Sequence, residues 1–529
     1  MLIKGFIGFW GNKNENLISK EFCEKYSMSI SNSVSFFTER YTVIVSREYV
    51  TYFKDGILKL VSGIECASGF GQLKIVTEIT DESLLMQRDR WGSRMLYYIR
   101  EKGNIYFSSD VRFLLELPIN SINEYSEESL LECSTLGYIF DESRTIYKKI
   151  KQLPRNSRLT ANNGLIAVNK NVVQINKDRY HSLDEAESVF TSIFERTLKN
   201  TNELIGNKAF LLSGGMDSTA IAIAASKNEV IHTISFASNN NTEDIYYANR
   251  IADYIKSDHS VVRFDNQEAV LNFPSFLNNI ENVEMEGIFS PLGGYSYYLL
   301  CKKISSQGYE IVVPGEGADE LLGGYYWPLT HSFGFVDKLK QRTADTHLYN
   351  IITSIFPDIE ERNFYREAAY YFLQGSALTN YHLSCVEHTA KSLGLFNFPV
   401  FITKDLYEVV KDIPICWLCD GRITKIILRN YLSKHLEGIG LSSLITRKKL
   451  AMPSVVTQEF IDKLNRLAEK ESIKSNNPYR KLLGENALNV MMLDVFHKYF
   501  TLQPLKNVSI DMWKEDLEII EHGESIIHW

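Results

Sequence analysis

Up to about Asn176 the chain reads as short apolar runs broken by Gly, Asp and Asn turns. YTVIVS (Tyr41–Ser46), LKIVTEI (Leu73–Ile79), MLYYIR (Met95–Arg100) and NIYFSS (Asn104–Ser109) are β-branched and aromatic, and predict strands. The period then changes. Ser182-Leu183-Asp184-Glu185 has the spacing of a capping box, and Val189, Ile193 and Leu198 form a helical apolar stripe. A buried strand, Ala209–Leu212, runs into the turn Ser213-Gly214-Gly215-Met216-Asp217-Ser218 and a small-residue helix, Thr219–Ala224. Val230–Phe236 predicts a second buried strand. Ile311–Val313 predicts a third, opening into Pro314-Gly315-Glu316-Gly317-Ala318-Asp319-Glu320. Alternating strands and helices imply a parallel sheet with ligands at the carboxyl ends of its strands. The change of period divides the chain into residues 1–180 and 181–529.

With 529 residues, two domains are the natural expectation. A formal charge of −8 gives no overall field for nucleic acid, although Arg447-Lys448-Lys449 is locally basic. No apolar run is long enough to span a bilayer, and the N-terminus lacks a signal-peptide core, so no membrane partner and a cytoplasmic location are expected. The seven cysteines are scattered. Cys416 and Cys419 form a lone CxxC without a second pair, an unpromising zinc or redox site.

Two stretches carry candidate chemistry. After the first strand, Gly214 and Gly215 allow close backbone approach, and the opening N–H groups of the helix face an anion favourably. Ser213 and Ser218 add hydroxyls, and Asp217 offers a carboxylate to a phosphate-bound magnesium ion. After the third strand, Gly315 and Gly317 repeat the turn, and Asp319 supplies a second carboxylate.

SGGMDS resembles the pyrophosphate loop of ATP pyrophosphatases of the asparagine-synthetase type, and VPGEGADELLGGY resembles their SGxGxDELFGGY. The resemblance extends loosely to the first half. Arg88–Tyr98 (RDRWGSRMLYY) is similar to the DRxGxRPLYY segment of the family's glutaminase domain, and Lys148–Arg158 to its closing segment. The resemblance implies an N-terminal glutaminase-like (Ntn-type) α/β sandwich. Joined to it would be a C-terminal ATP-pyrophosphatase domain, a doubly wound parallel sheet with extra helices. ATP and Mg2+ are the implied cofactors. Ser213, Gly214, Gly215, Asp217, Ser218, Gly315, Gly317 and Ser235 would hold ATP or pyrophosphate, with Asp217 and Asp319 on the metal. Thr446–Pro453 resembles the family's RxKxG loop and places Lys449 as the electrostatic catalyst. Arg422–Arg429 matches a KxxLR helix. Lys425 and Arg429, four apart, suggest one helical face, either solvated or structural beside the site. Tyr381 and Glu387 are candidates for a Tyr–Glu base by position alone. His259 reads as structural.

The departures narrow the activity. Where glutamine-dependent relatives begin with a nucleophilic Cys, the best match, Lys4-Gly5-Phe6-Ile7-Gly8, carries a lysine, which cannot replace a thiolate. The family's acceptor Glu-Val-Arg falls on Leu395-Phe396-Asn397 and loses both charges. The implied reaction is ATP-dependent amide formation through an acyl-adenylate, with the amine supplied by the substrate. Lasso-peptide macrolactam cyclases fit this best, the partners being a precursor peptide and a leader peptidase. β-Lactam synthetases acting on a small carboxylate/amine substrate, an ammonia-using amidotransferase and a non-catalytic scaffold homologue are the alternatives.

Overall fold

The computed structural model describes residues 5–18, 22, 24, 33–46, 50–64, 73–136, 139, 141–162, 165–171, 173–176, 178–237, 242–263, 268, 272–273, 275–276, 294–324, 383–420, 422–447, 458–483 and 486–502. Lys4, Tyr381 and Lys449 lie outside the described residues.

Among the described residues, twelve strands build the first half: β1 (Phe6–Trp10), β2 (Ser33–Phe37), β3 (Tyr41–Ser46), β4 (Val50–Lys54), β5 (Ile57–Ile64), β6 (Leu73–Ile79), β7 (Ser83–Arg88), β8 (Tyr97–Glu101), β9 (Asn104–Ser108), β10 (Lys151–Gln152), β11 (Ser157–Asn162) and β12 (Leu165–Lys170). They form two six-stranded sheets, ordered β10-β8-β9-β1-β3-β2 and β12-β11-β7-β6-β5-β4. Side chains alternate between the faces of a strand, so each apolar run of the first sheet feeds two cores. Phe6, Val43, Val45 and Phe107 meet Leu60, Ile75, Met86 and Leu159 between the sheets. Their neighbours Ile7, Phe9, Ile44 and Tyr106 point the other way, into the core that continues through the second half. β8 begins two residues later than the apolar run suggests. The buried Arg88 guanidinium takes the carbonyls of Gly92, Arg94 and Leu153, each at 2.7 Å, and Met95 and Leu96 stay outside the strand.

The second half holds β13 (Lys208–Leu211), β14 (His232–Ala237), β15 (Asp258–Arg263), β16 (Ile311–Val313) and β17 (Phe396–Asn397), all parallel, in the order β15-β14-β13-β16-β17. The chain winds outward from β13 to β15 and then returns to lay β16 on the other side of β13. The order therefore reverses between β13 and β16, the reversal at which open α/β sheets form their ligand crevice. The helix Met216–Ser226 is apolar on every side because it packs against three others: Leu183–Lys199, Thr242–Ile255 and Ile426–Leu436. The capping box at Ser182 is half formed. Ser182 accepts from the Glu185 amide at 3.2 Å, while the Glu185 carboxylate reaches one residue further back, to the His181 N–H at 2.8 Å.

The segment Asp89–Arg94 joins the halves. Asp89 shapes it by accepting from the Trp91 amide (2.9 Å) and the Ser93 hydroxyl (2.7 Å). The Arg90 guanidinium then lies 3.3 Å from the centroid of the Tyr407 ring, and Trp91 meets the same ring edge-on at 5.2 Å. A second joint has Tyr125 bonded through its hydroxyl to Thr501 (2.6 Å) and His497 (2.9 Å).

Candidate active site at the strand-order reversal

The turns after β13 and β16 meet above the reversal. They are close enough that a β-carbon on Gly315 would lie 3.3 Å from that of Asp217. In the first turn Ser213 and Ser218 pin each other: their hydroxyls are 3.0 Å apart, and the Ser213 amide donates to Ser218 Oγ at 3.1 Å. Gly214 has φ +73°, and a β-carbon there would sit 2.2 Å from the Asp244 carbonyl, so the turn and the helix Thr242–Ile255 approach as only glycine permits. Gly215 is the N-cap of the following helix. No side chain caps that helix end, which leaves its first amides directed at the crevice, the arrangement that binds phosphate. Gly317, at φ +86°, caps the short helix Ala318–Leu322 that carries Asp319.

The residue that unites the two turns is Lys425. Its ammonium donates to both oxygens of Asp217, at 2.6 and 2.7 Å, and lies 2.8 Å from Asp319 Oδ1. Its side chain is only 2% exposed. Burial alone would lower its pKa, but the charges of Asp217 and then Asp319 outweigh that and hold it above the ordinary lysine value. Lys425 and Arg429 do not form a solvated helical face. Lys425 is the N-cap, in the left-handed region at φ 53°, outside the regular helix. Arg429 staples that turn by donating to the carbonyls of Thr424 and Ile445, and burial lowers its pKa. KxxLR spacing carries this signal, but helical geometry assigns the lysine to the wrong place.

Asp217 and Asp319 suit a hard cation, since both are carboxylates. Among the described residues no group of three or more His, Cys, Asp or Glu side chains assembles, so a magnesium ion here would need phosphate oxygens and water to complete its shell. Arg447, two residues before Lys449, is ion-paired to Asp244 on the helix that abuts Gly214, with its guanidinium 5.0 Å from the Tyr247 ring centroid. Arg447, the last described residue before Lys449, thus sits at the rim of the crevice.

Other expected residues sit elsewhere. Ser235 is buried beneath the site, and its hydroxyl donates to the Leu212 carbonyl. His259 contacts Thr233 at 2.9 Å and its pKa is lowered by burial, in keeping with a structural part. Glu387 is buried in the joint between the halves, 3.1 Å from Arg94 and accepting from the Asn397 amide at 3.1 Å. Asn397 accepts in turn from the Tyr297 hydroxyl at 2.9 Å. Cys416 is exposed and Cys419 is buried, and the two do not form a disulfide. No described helix is long and apolar enough to cross a membrane.

Comparison with known proteins agrees with this architecture. Residues 206–515 match the family model "Asparagine synthase", more than half of the chain. The chain belongs to the asparagine synthase family. Residues 64–171 match "Glutamine amidotransferase domain", so both halves of the asparagine-synthetase-like arrangement are accounted for. An asparagine synthetase [glutamine-hydrolyzing] of Zea mays is 28% identical over 155 residues, 27% of this chain and 26% of its own length. The Rattus norvegicus enzyme of the same description is 23% identical over 305 residues, 52% of this chain and 48% of its own. The chain thus spans between a quarter and a half of the length of these curated relatives. Among solved structures, the glutamine phosphoribosylpyrophosphate amidotransferase of B. subtilis overlaps 49% of this chain and 65% of its own at 8% identity, with a TM-score of 0.21, a likeness too loose to bear on the fold.

Proposed function

We propose that this member of the asparagine synthase family is an ATP-dependent, AMP-forming ligase that activates a carboxylate as its acyl-adenylate and joins it to an amine. The observation that carries the reading is the meeting of Asp217 and Asp319, from two glycine turns, at the reversal of a parallel sheet. The uncapped helix at Gly215 and the hydroxyls of Ser213 and Ser218 would hold the leaving phosphates. Magnesium on the two carboxylates would neutralise charge as pyrophosphate departs. Lys449, on a segment anchored through Arg447, would stabilise the anion formed by amine attack.

The finer reading is an intramolecular amide, most simply a lasso-peptide macrolactam closed on an Asp or Glu side chain of a precursor peptide. Two features favour it. Lys4 stands where a glutaminase needs cysteine, so ammonia would not come from glutamine. Asn397 replaces the charged acceptor residue of relatives, is 1% exposed, and its amide is bonded to Glu387 and Tyr297, so neither charge that would hold a free amino acid is present there. Glu387 is committed to Arg94, so we assign it to the joint between the halves and not to the base.

Pyrophosphate release from purified protein with ATP and magnesium tests both levels. Release that depends on a precursor peptide, with a product lighter by one water, would establish the cyclase. Release that depends on a small amino-carboxylate would indicate the β-lactam-type reaction, and release that needs ammonium an amidotransferase. Absence of nucleotide binding would reduce the chain to a scaffold homologue.

A further inference from the structure

The Lys425 ammonium has three N–H donors, and three carboxylate oxygens surround it: Asp217 Oδ1 at 2.6 Å, Asp217 Oδ2 at 2.7 Å and Asp319 Oδ1 at 2.8 Å. Both oxygens of Asp217 are engaged, so a cation could take that carboxylate only by displacing the lysine or by sharing oxygens with a like charge. The cage leaves little room for both. A β-carbon on Gly324 would lie 2.0 Å from Asp319 Oδ1 and 2.3 Å from Lys425 Cε, so the chain is already closed over the pair. The lysine backbone is held in its left-handed turn by Arg429, while the flexible four-carbon stem remains the part that can swing.

We infer that Lys425 is the resident counter-cation of the Asp217–Asp319 pair, barring a divalent ion until a nucleotide arrives. The inference rests on the reading of this crevice as a nucleotide site. Without nucleotide, two carboxylates offer a metal too few ligands to displace an ammonium bonded to both oxygens of Asp217 and ion-paired with Asp319. A triphosphate changes both sides of that balance: its oxygens complete the metal shell and give Lys425 anionic partners to move to. Metal and nucleotide binding are thereby made interdependent, and the metal enters as a nucleotide complex. Lys425 acts here as a positioning residue for the carboxylates, holding the two turns in register between turnovers.

The test is Mn2+ binding followed by electron paramagnetic resonance, without turnover. In the absence of nucleotide, wild type should hold Mn2+ weakly, Lys425→Met at least about tenfold more tightly, and Lys425→Met combined with Asp319→Asn weakly again. Lys425→Arg, which keeps the charge, should bind as weakly as wild type. Adding α,β-methylene-ATP should bring tight Mn2+ binding to wild type. Equal nucleotide-free affinity in wild type and Lys425→Met, or a weaker one in the variant, overturns the inference. Should Lys425→Met not fold, Lys425→Gln, which also removes the charge, takes its place in the same comparison, and tight nucleotide-free binding to wild type that Asp319→Asn removes overturns the inference in either case. If the analogue brings no Mn2+ to any of these proteins, the nucleotide-site reading fails, while the nucleotide-free comparison still reports on Lys425.

Discussion

Arg94 Nη2 lies 3.1 Å from Glu387 Oε2, a buried ion pair between the amidotransferase-like half and the synthetase half. Burial raises the Glu387 pKa, with Arg94 and then Asn397 acting against it. Removing the cation is therefore worse than neutralising the acid. Arg94→Met should destabilise by about 3–5 kcal/mol in denaturant melts, because it leaves an uncompensated buried carboxylate, whereas Glu387→Gln should cost much less.

The same pair sets a pH dependence. For an acid with a raised folded-state pKa, the stabilising contribution is complete below the unfolded value and is lost as pH rises through the folded one. Stability should thus fall from about pH 4.5 upward on account of Glu387. Glu387→Gln should flatten this limb of a melting-temperature profile.

Asp319→Asn should cut metal-dependent pyrophosphate release by roughly 100-fold or more, since it removes one of the two carboxylates that meet around Lys425. Calorimetry with metal–nucleotide should show the corresponding loss of affinity, and full retention of affinity would count against the site.

Gly214→Ala places a side chain at φ +73° and 2.2 Å from the Asp244 carbonyl. A loss of about 1–3 kcal/mol is expected from backbone strain alone. Nucleotide affinity should fall with it, because the helix Thr242–Ile255 must retreat from the turn.

Ser182→Ala removes the cap on the Glu185 amide and should cost about 1 kcal/mol by thermal melting. Glu185→Ala tests the slipped arm of the box, which reaches the His181 amide.

Much of the fold was legible because it is local. β3, β6 and β16 occupy the runs read from the pattern, and the glycine turns follow their strands, since alternation and turn chemistry act over a few residues. Where a long-range contact competes, the sequence misleads. β8 starts late where Arg88 takes carbonyls from as far as Leu153. β14 begins at His232 and not Val230, which is 73% exposed. Ser235 turned inward to the Leu212 carbonyl, a bond between strands that spacing cannot reveal.

By itself, then, the sequence determined the strand–turn–helix units and the residue types set in the two glycine turns. These depend on neighbours along the chain. Only the tertiary structure decided which distant charges meet: Lys425 lies 208 residues from Asp217, and Arg94 and Glu387 come from different halves of the molecule. A buried charge must find its partner in space, and its place in the sequence does not say which partner the packing will deliver.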